Sequence, residues 1–514
     1  MKKRSTTQNV LYQGSILAMA AFISRFIGLL YRIPVNNIIT DAGVADYSNA
    51  YVIYNIVLIL SSVSLPTAIS KTIGKEIGAN NYKNIYRIIS VSFFIALTVG
   101  LFSSSILFFF ANDIATKIFK LETSALPLKI LAPTVFISAM IGVMRGYFQG
   151  HGNMVVTAKS QIIEQIINAV VSVYAATYFM KLYNMPSYGA AGSTLGTTLG
   201  AFVALIYMFI MFNLKRYEED SDSGKVYPYK YIFYILIITI FPIILSQIIN
   251  QITSVLDQAI FLNILESKNY TLDERRNLLG IYTGKYLLIS SLPIAISTSL
   301  SASSIALFSK LYVSNKKDLP RKFTATMKFN MMLVIPCFFG LLVLSKPVLM
   351  LLFRDSRDLS ANILGYGSLS IVFYAISNMQ NGLLQSVDKM GIPIRNALIS
   401  LVIHVIIVII CLQYLDLELY SLIIGNITFP LVTVILNSIS IKKYLRFKLK
   451  IFNVYIIPII SSVVMAIITF LSYKITYNVT HINVISVVFS IICSILVYFP
   501  VYSKLYELVR GKRK

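Results

Sequence analysis

The stretch Leu11-Tyr-Gln-Gly-Ser-Ile-Leu-Ala-Met-Ala-Ala-Phe-Ile-Ser24-Arg25-Phe-Ile-Gly28-Leu-Leu-Tyr31-Arg32-Ile-Pro34 decides the class of this chain. A helix needs about 20 mostly apolar residues to cross a bilayer, and this run supplies them with no carboxylate and two arginines. It is too long for the apolar region of a cleavable export signal, and Arg25 and Arg32 would interrupt one. Thirteen more apolar segments follow. With the first at 10–34, they lie near 44–70, 85–111, 124–150, 155–180, 187–214, 231–263, 278–306, 323–345, 360–386, 393–414, 417–440, 452–473 and 481–504. The composition agrees: 56% of the 514 residues are hydrophobic, 13% are charged and the mean hydropathy is +0.74. Soluble domains carry about 25% charged residues, so one large water-soluble enzyme is excluded.

The net charge of +24 is read as loops facing an anionic leaflet, with no nucleic-acid-binding module to suggest otherwise. With the amino terminus inside, the cytoplasmic segments collect 31 Lys and Arg and the outer ones 11. The alternation holds loop by loop, which predicts a multi-pass protein of the cytoplasmic membrane with both termini cytoplasmic. Cys337, Cys411 and Cys493 all sit in apolar runs, where neither a disulfide frame nor zinc spacing arises.

An internal repeat organises the segments. Ser64-Leu-Pro-Thr-Ala-Ile-Ser70 recurs as Ser291-Leu-Pro-Ile-Ala-Ile-Ser297, and Gly146, Gln149 and Met154 recur as Gly382, Gln385 and Met390. Both echoes are displaced by six segments, so the halves share one orientation and relate by a pseudo-two-fold axis along the membrane normal. The expected fold is an all-α integral membrane protein of about fourteen helices. Residues 1–214 form an N-lobe of six helices, 215–230 a cytoplasmic linker, 231–440 a C-lobe of six, and 441–514 two appended helices with a basic tail.

Ionisable groups at membrane depth are costly and mark pathways or buried pairs. Arg25 and Arg32 lie two turns apart on one face of helix one, and Lys285 enters helix eight from the same side. At 1.5 Å per residue Arg25 lies about 13 Å deep and Lys285 about 10 Å. Arg forks onto phosphate oxygens and Lys offers a point charge, so the set suits a polyanion. Ser24 sits beside Arg25, and Asp46 is a candidate partner for Arg32; snorkelling to the outer headgroups is the competing reading for these cations. Helix five carries a polar stripe of Gln161, Glu164, Gln165, Asn168 and Ser172. Helix seven carries Gln247, Asn250, Gln251, Ser254 and Gln258 beside Asp257. Such stripes line a cavity or bond neighbouring helices. Glu164 could balance a cavity cation, and Asp257 with Asn250 is a weak site for sodium or a proton. His404 reads as a hydrogen-bonded core group. No phosphate loop, metal cluster or nucleophile elbow is present, so neither an enzyme nor a bound cofactor is expected.

Several of these runs resemble one family. Ser64 to Lys71 continuing through Glu76 to Asn81-Tyr-Lys83, Arg145-Gly-Tyr-Phe-Gln-Gly150 followed by Asn153-Met and Gln161-Ile-Ile-Glu-Gln165, and Ser24-Arg25-Phe-Ile-Gly28 with Tyr31-Arg-Ile-Pro34 are similar to the SpoVB/YtgP-type polysaccharide-transport family. That family belongs to the multidrug/oligosaccharidyl-lipid/polysaccharide exporter superfamily, which includes the MurJ lipid II flippases. The resemblance implies two six-helix lobes around a cationic cavity, and an undecaprenyl-diphosphate-linked sugar, lipid II above all, carried outward for cell-wall or spore-cortex peptidoglycan. It maps cavity cations onto Arg25 and Lys285, where many relatives have Arg in helix eight, and an acidic sodium-site position onto Asp257. Anionic membrane lipids and cell-wall synthesis proteins are the further partners expected. The alternatives are a cation-coupled multidrug exporter and a non-transporting assembly scaffold.

Overall fold

The computed structural model describes residues 6–79, 81–214, 226–447 and 452–511, and the regular structure among them is entirely helical. It divides into two compact units, residues 1–280 and 281–514. The first contains α1 (Thr6–Leu58), a π-helical turn (Ile59–Val63), α2 (Leu65–Gly78), α3 (Lys83–Phe109), the single turn α4 (Ala111–Asp113), α5 (Ala125–Gly150), α6 (Met154–Tyr183), α7 (Pro186–Leu214), α8 (Tyr229–Ser267) and α9 (Leu272–Ile281), whose last residue falls past the boundary. The second contains a π-helical turn (Tyr282–Leu287), α10 (Leu288–Ser314), α11 (Leu319–Phe353), α12 (Asp358–Gly367), α13 (Leu369–Ser386), α14 (Gly391–Gln413), α15 (Leu419–Leu445), a further π-helical turn (Phe452–Ile456), α16 (Ile457–Thr480) and α17 (Asn483–Gly511).

Among the described residues, length and hydropathy give twelve helices able to cross a membrane, against the fourteen expected. The difference has two sources. The first two expected helices run end to end as one stretch, Met19–Gly78, of 60 residues. At 1.5 Å per residue such a run far exceeds a hydrocarbon core of about 30 Å, and the chain leaves helical geometry inside it at Thr40 (φ 63°, ψ 172°). The expected seventh helix lies in α8, where Tyr229–Phe241 stands as a shorter apolar helix and several side chains between 242 and 250 fall outside the description. Most of the expected linker, 215–225, also lies outside the described residues.

Glycines set the closest approaches in the first unit. A Cβ on Gly192 would meet the Ala175 carbonyl oxygen at 2.5 Å, one on Gly196 the Ser172 nitrogen at 2.6 Å, and one on Gly200 the Glu164 carbonyl oxygen at 2.6 Å. This stripe seats α7 directly on the backbone of α6, the small-residue packing that substitutes for a hydrophobic driving force within lipid. The two sequence runs quoted for the family also touch each other. Gly146 and Gly150 of α5 receive Ile69 and Ile73 of α2, each with a would-be Cβ contact of 2.7 Å. Pro66 cannot donate a backbone N–H, and the π-helical turn just before it is steadied by Ser61 and Ser62, whose hydroxyls donate to the Val57 and Leu58 carbonyls. In the second unit the repeated Ser291–Ser297 run lies on α10 against α13, where Ser297 donates to the Ala375 carbonyl and Ser301 to that of Asn378. Large apolar side chains such as Phe102, Val170 and Leu496 point outward, as lipid-facing helix surfaces require.

Candidate functional site

On α1, Arg25 is exposed and forms no ion pair or hydrogen bond among the described residues. One turn further on, Gly28 lies under the Gln165 amide, whose nitrogen stands 3.1 Å from where a Cβ would be. The structure thus seats Gly28, one turn along α1 from Arg25, against Gln165 of α6. The Ser24 hydroxyl is buried and unbonded among the described residues. Arg32 is half-buried, and its guanidinium lies 5.6 Å and 5.8 Å from the ring centroids of Tyr47 and Tyr51. Aromatic faces at that distance attract a cation. The hydroxyls of Tyr31 and Tyr47 are 3.3 Å apart, Asn168 donates to Tyr31 at 3.4 Å, and Tyr51 bonds to Thr197.

Asp46, expected as a partner for Arg32, is paired instead with Arg276 at 2.6 Å, 230 residues away in sequence. Thr123 donates to its other oxygen, and Arg276 also reaches Asp273 at 3.1 Å. Both Asp46 and Arg276 are buried, so the pair locks α9 onto the second half of α1. A buried carboxylate already matched this way has little freedom to bind a passing ligand.

The polar stripe on α6 divides into parts. Glu164 accepts from Arg145 at 2.7 Å, with Arg145 also donating to Ser160 at 2.9 Å, so the carboxylate balances a cation on α5. Asn168 and Ser172 bond each other, and Ser172 donates to the Ser193 carbonyl, joining α6 to α7. Gln161 keeps a buried oxygen without a partner among the described residues. Asp257 is buried, and its neighbour Gln258 accepts from Asn49 at 3.3 Å, which in turn accepts from Ser124. The side chain of Asn250, proposed with Asp257, lies outside the described residues. No cluster of three or more His, Cys, Asp or Glu side chains occurs among the described residues.

In the second unit Lys285 is buried in the π-helical turn Tyr282–Leu287 and donates to Asp355 at 2.6 Å. Asp355 also accepts a fork from Arg357 at 2.9 Å and 2.7 Å, the Arg357 backbone N–H at 3.0 Å and the Ser360 hydroxyl at 2.6 Å. Burial pushes this carboxyl up, but the hydrogen bonds from Arg357, Lys285 and Ser360 outweigh burial and hold it below the usual carboxylate range. Arg357 is the half-exposed member of the cluster, while Asp355 is buried. Sequence reasoning placed Arg276 and Arg357 only as outer-loop charges and passed over Asp355 altogether. The signal that could have found this cluster is Asp355-Ser-Arg357, two opposite charges directly after an apolar helix.

Comparison with known proteins bears on the family and the fold. Residues 10–312 match the polysaccharide biosynthesis protein family, which is more than half of the chain. The lipid II flippase MurJ of Bacillus subtilis (strain 168) is 23% identical over 76% of this chain and 74% of its own length. Stage V sporulation protein B of the same organism is 30% identical over 39% of this chain and 38% of its own. Among solved structures, a lipid II flippase MurJ in an inward closed conformation superposes with a TM-score of 0.69 at 17% identity, covering 96% of this chain and 99% of that one. An inward-facing multidrug resistance MATE transporter gives 0.65 at 15% identity, covering 84% and 99%. The structural likenesses show a fold shared with these MurJ and MATE structures, and the chain, a multi-pass membrane protein, belongs to the polysaccharide biosynthesis protein family.

Proposed function

We propose that this chain is a flippase that carries an undecaprenyl-diphosphate-linked sugar, lipid II in the first instance, from the inner to the outer leaflet by alternating access, with both termini cytoplasmic. The observation that carries the reading is Arg25, an exposed guanidinium in an apolar helix with no partner among the described residues. A bare guanidinium at membrane depth must meet water or a phosphate, and a diphosphate offers it a forked acceptor. Arg32, held over two tyrosine rings, adds charge on the same helix, with Ser24 and Gln165 as polar contacts to the headgroup. Lys285 takes part as one member of the Lys285–Asp355–Arg357 cluster rather than as a free amine, because Asp355 already occupies it. The prenyl chain stays in lipid while the headgroup crosses. Each charge moved against an inside-negative potential costs about 2.3 kcal/mol per 100 mV, so the potential favours return of the unloaded cationic site.

The direct test is rescue of a flippase-depleted bacterium by Arg25→Ala and Lys285→Ala proteins at matched membrane levels. Loss of rescue with Arg25→Ala and a partial loss with Lys285→Ala are expected; full rescue by Arg25→Ala removes the anion grip. A second reading, a cation-coupled multidrug exporter with sodium or proton exchange at Asp257, draws support from the MATE-like fold and from that buried carboxylate. Drug resistance that rises on expression and falls with Asp257→Asn, with no change in precursor topology, would select it.

A further inference from the structure

Where α11 begins and α17 ends, a pocket of about 410 Å³ opens beside the π-helical turn that leads into α16. That volume falls within the range of small-ligand sites. Its charge is of one sign: Arg321 and Lys328 line it, and among the described residues no carboxylate does. The Lys328 amine lies 3.0 Å above the ring centroid of Tyr506 and 5.7 Å from that of Tyr502, which fixes its position without neutralising it. Two polar groups in the wall are incomplete. The Tyr502 hydroxyl, on a residue only 7% exposed, and the Asn453 side-chain oxygen are both buried with no hydrogen-bond partner among the described residues. Buried polar groups without partners are uncommon and point to something that completes them. Below the charges the wall turns apolar at Met332 and Phe329, and Phe329 is 48% exposed, so the pocket opens along the helix surface.

We infer that this pocket binds the headgroup of an anionic phospholipid of the surrounding bilayer. Phosphate oxygens would accept from Arg321, Lys328 and the Tyr502 hydroxyl, a headgroup hydroxyl would donate to Asn453, and the first acyl methylenes would run over Phe329 and Met332. Cations at a helix end with an apolar wall beneath them match a lipid, which carries its charge and its chain in that order. The charge pattern of the loops puts this end of the helices on the cytoplasmic side, where anionic lipids concentrate. The site is separate from the residues proposed for transport.

The test uses the full chain in neutral detergent, with bound lipid counted by native mass spectrometry. The probes are phosphatidylglycerol, chain-matched phosphatidylcholine, undecaprenyl phosphate and inorganic phosphate. Phosphatidylglycerol should be retained over phosphatidylcholine, and Arg321→Gln with Lys328→Gln should weaken retention about a hundredfold, on the scale of about tenfold for each lost charge-assisted contact. Tyr502→Phe keeps the ring and removes only the hydroxyl; it should weaken retention by about threefold with an unchanged melting temperature, and it decides the matter should the double variant fail to fold. Unchanged retention in Tyr502→Phe and the double variant, equal binding of phosphatidylcholine, preference for undecaprenyl phosphate, or full displacement by millimolar inorganic phosphate would each overturn the assignment.

Discussion

Asp355 shows how one carboxylate organises several cations. Its oxygens accept from a lysine, an arginine fork, a backbone N–H and a serine. Replacing it with Asn leaves Lys285 buried without its counter-charge, and breaking such a pair costs about 3–5 kcal/mol. Asp355→Asn should therefore clearly lower the apparent melting temperature in detergent. Lys285→Met combined with it should cost less than the two single changes together, because neither partner is then stranded. The pH dependence follows from the sign of the shift. A carboxyl held below its ordinary pKa of about 3.9 contributes its full stability above that value and loses it as the pH falls through the folded-state pKa. Melting temperature measured from pH 7 downward should fall more steeply at the acid end in the wild type than in Asp355→Asn. The residue scale is also where the sequence was least informative. Asp46 reads naturally as a partner of Arg32 on the same helical run, yet its partner is Arg276, and spacing along a helix carries no information about a residue 230 positions away.

At the scale of the element, the α6–α7 pair stands on Gly192, Gly196 and Gly200. Gly196→Ala puts a methyl against the Ser172 backbone, which cannot yield as a side-chain tip can. The cost of such overpacking is about 1–3 kcal/mol. Gly340→Ala in α11 meets nothing within 4 Å and replaces a poor helix former, so it should be neutral or slightly stabilising by about 0.5–1 kcal/mol. Apparent melting temperatures of the two variants in one detergent separate close packing from helix propensity. Much at this scale was legible. The polar stripe on helix five is present on α6, and the two glycine-bearing and serine-bearing runs that carried the family likeness do meet, through Gly146 and Gly150 on Ile69 and Ile73. Periodicity could not say which members of the stripe would be used internally. Asn168 and Ser172 bond within the helix pair, Glu164 meets Arg145, and Gln165 is left beside Gly28.

For the whole molecule, composition and hydropathy were sufficient to identify a helical membrane protein, because burial in lipid demands long apolar runs wherever the chain crosses. The helix count was harder to read. Pattern alone separates 10–34 from 44–70, whereas α1 runs from the first into the second with a departure from helical geometry at Thr40. Orientation rests on the loop charges, and a fluorescent protein fused after Lys514 should fold and emit if the carboxyl terminus is cytoplasmic. An alkaline phosphatase fused at the same point should be inactive. The reverse pair of results would invert every loop assignment and place the Arg321–Lys328 pocket in the opposite leaflet. The π-helical turn at Tyr282–Leu287 carries a consequence for the chain's tolerance of length changes. Removing Tyr286 or Leu287 would shorten the path from Lys285 to Pro293 by one residue and rotate Lys285 by about 100° of azimuth relative to Pro293. Its ammonium would then face away from Asp355, so point substitutions in that hexapeptide at positions other than Lys285 should be borne far better than such a frame-preserving codon loss.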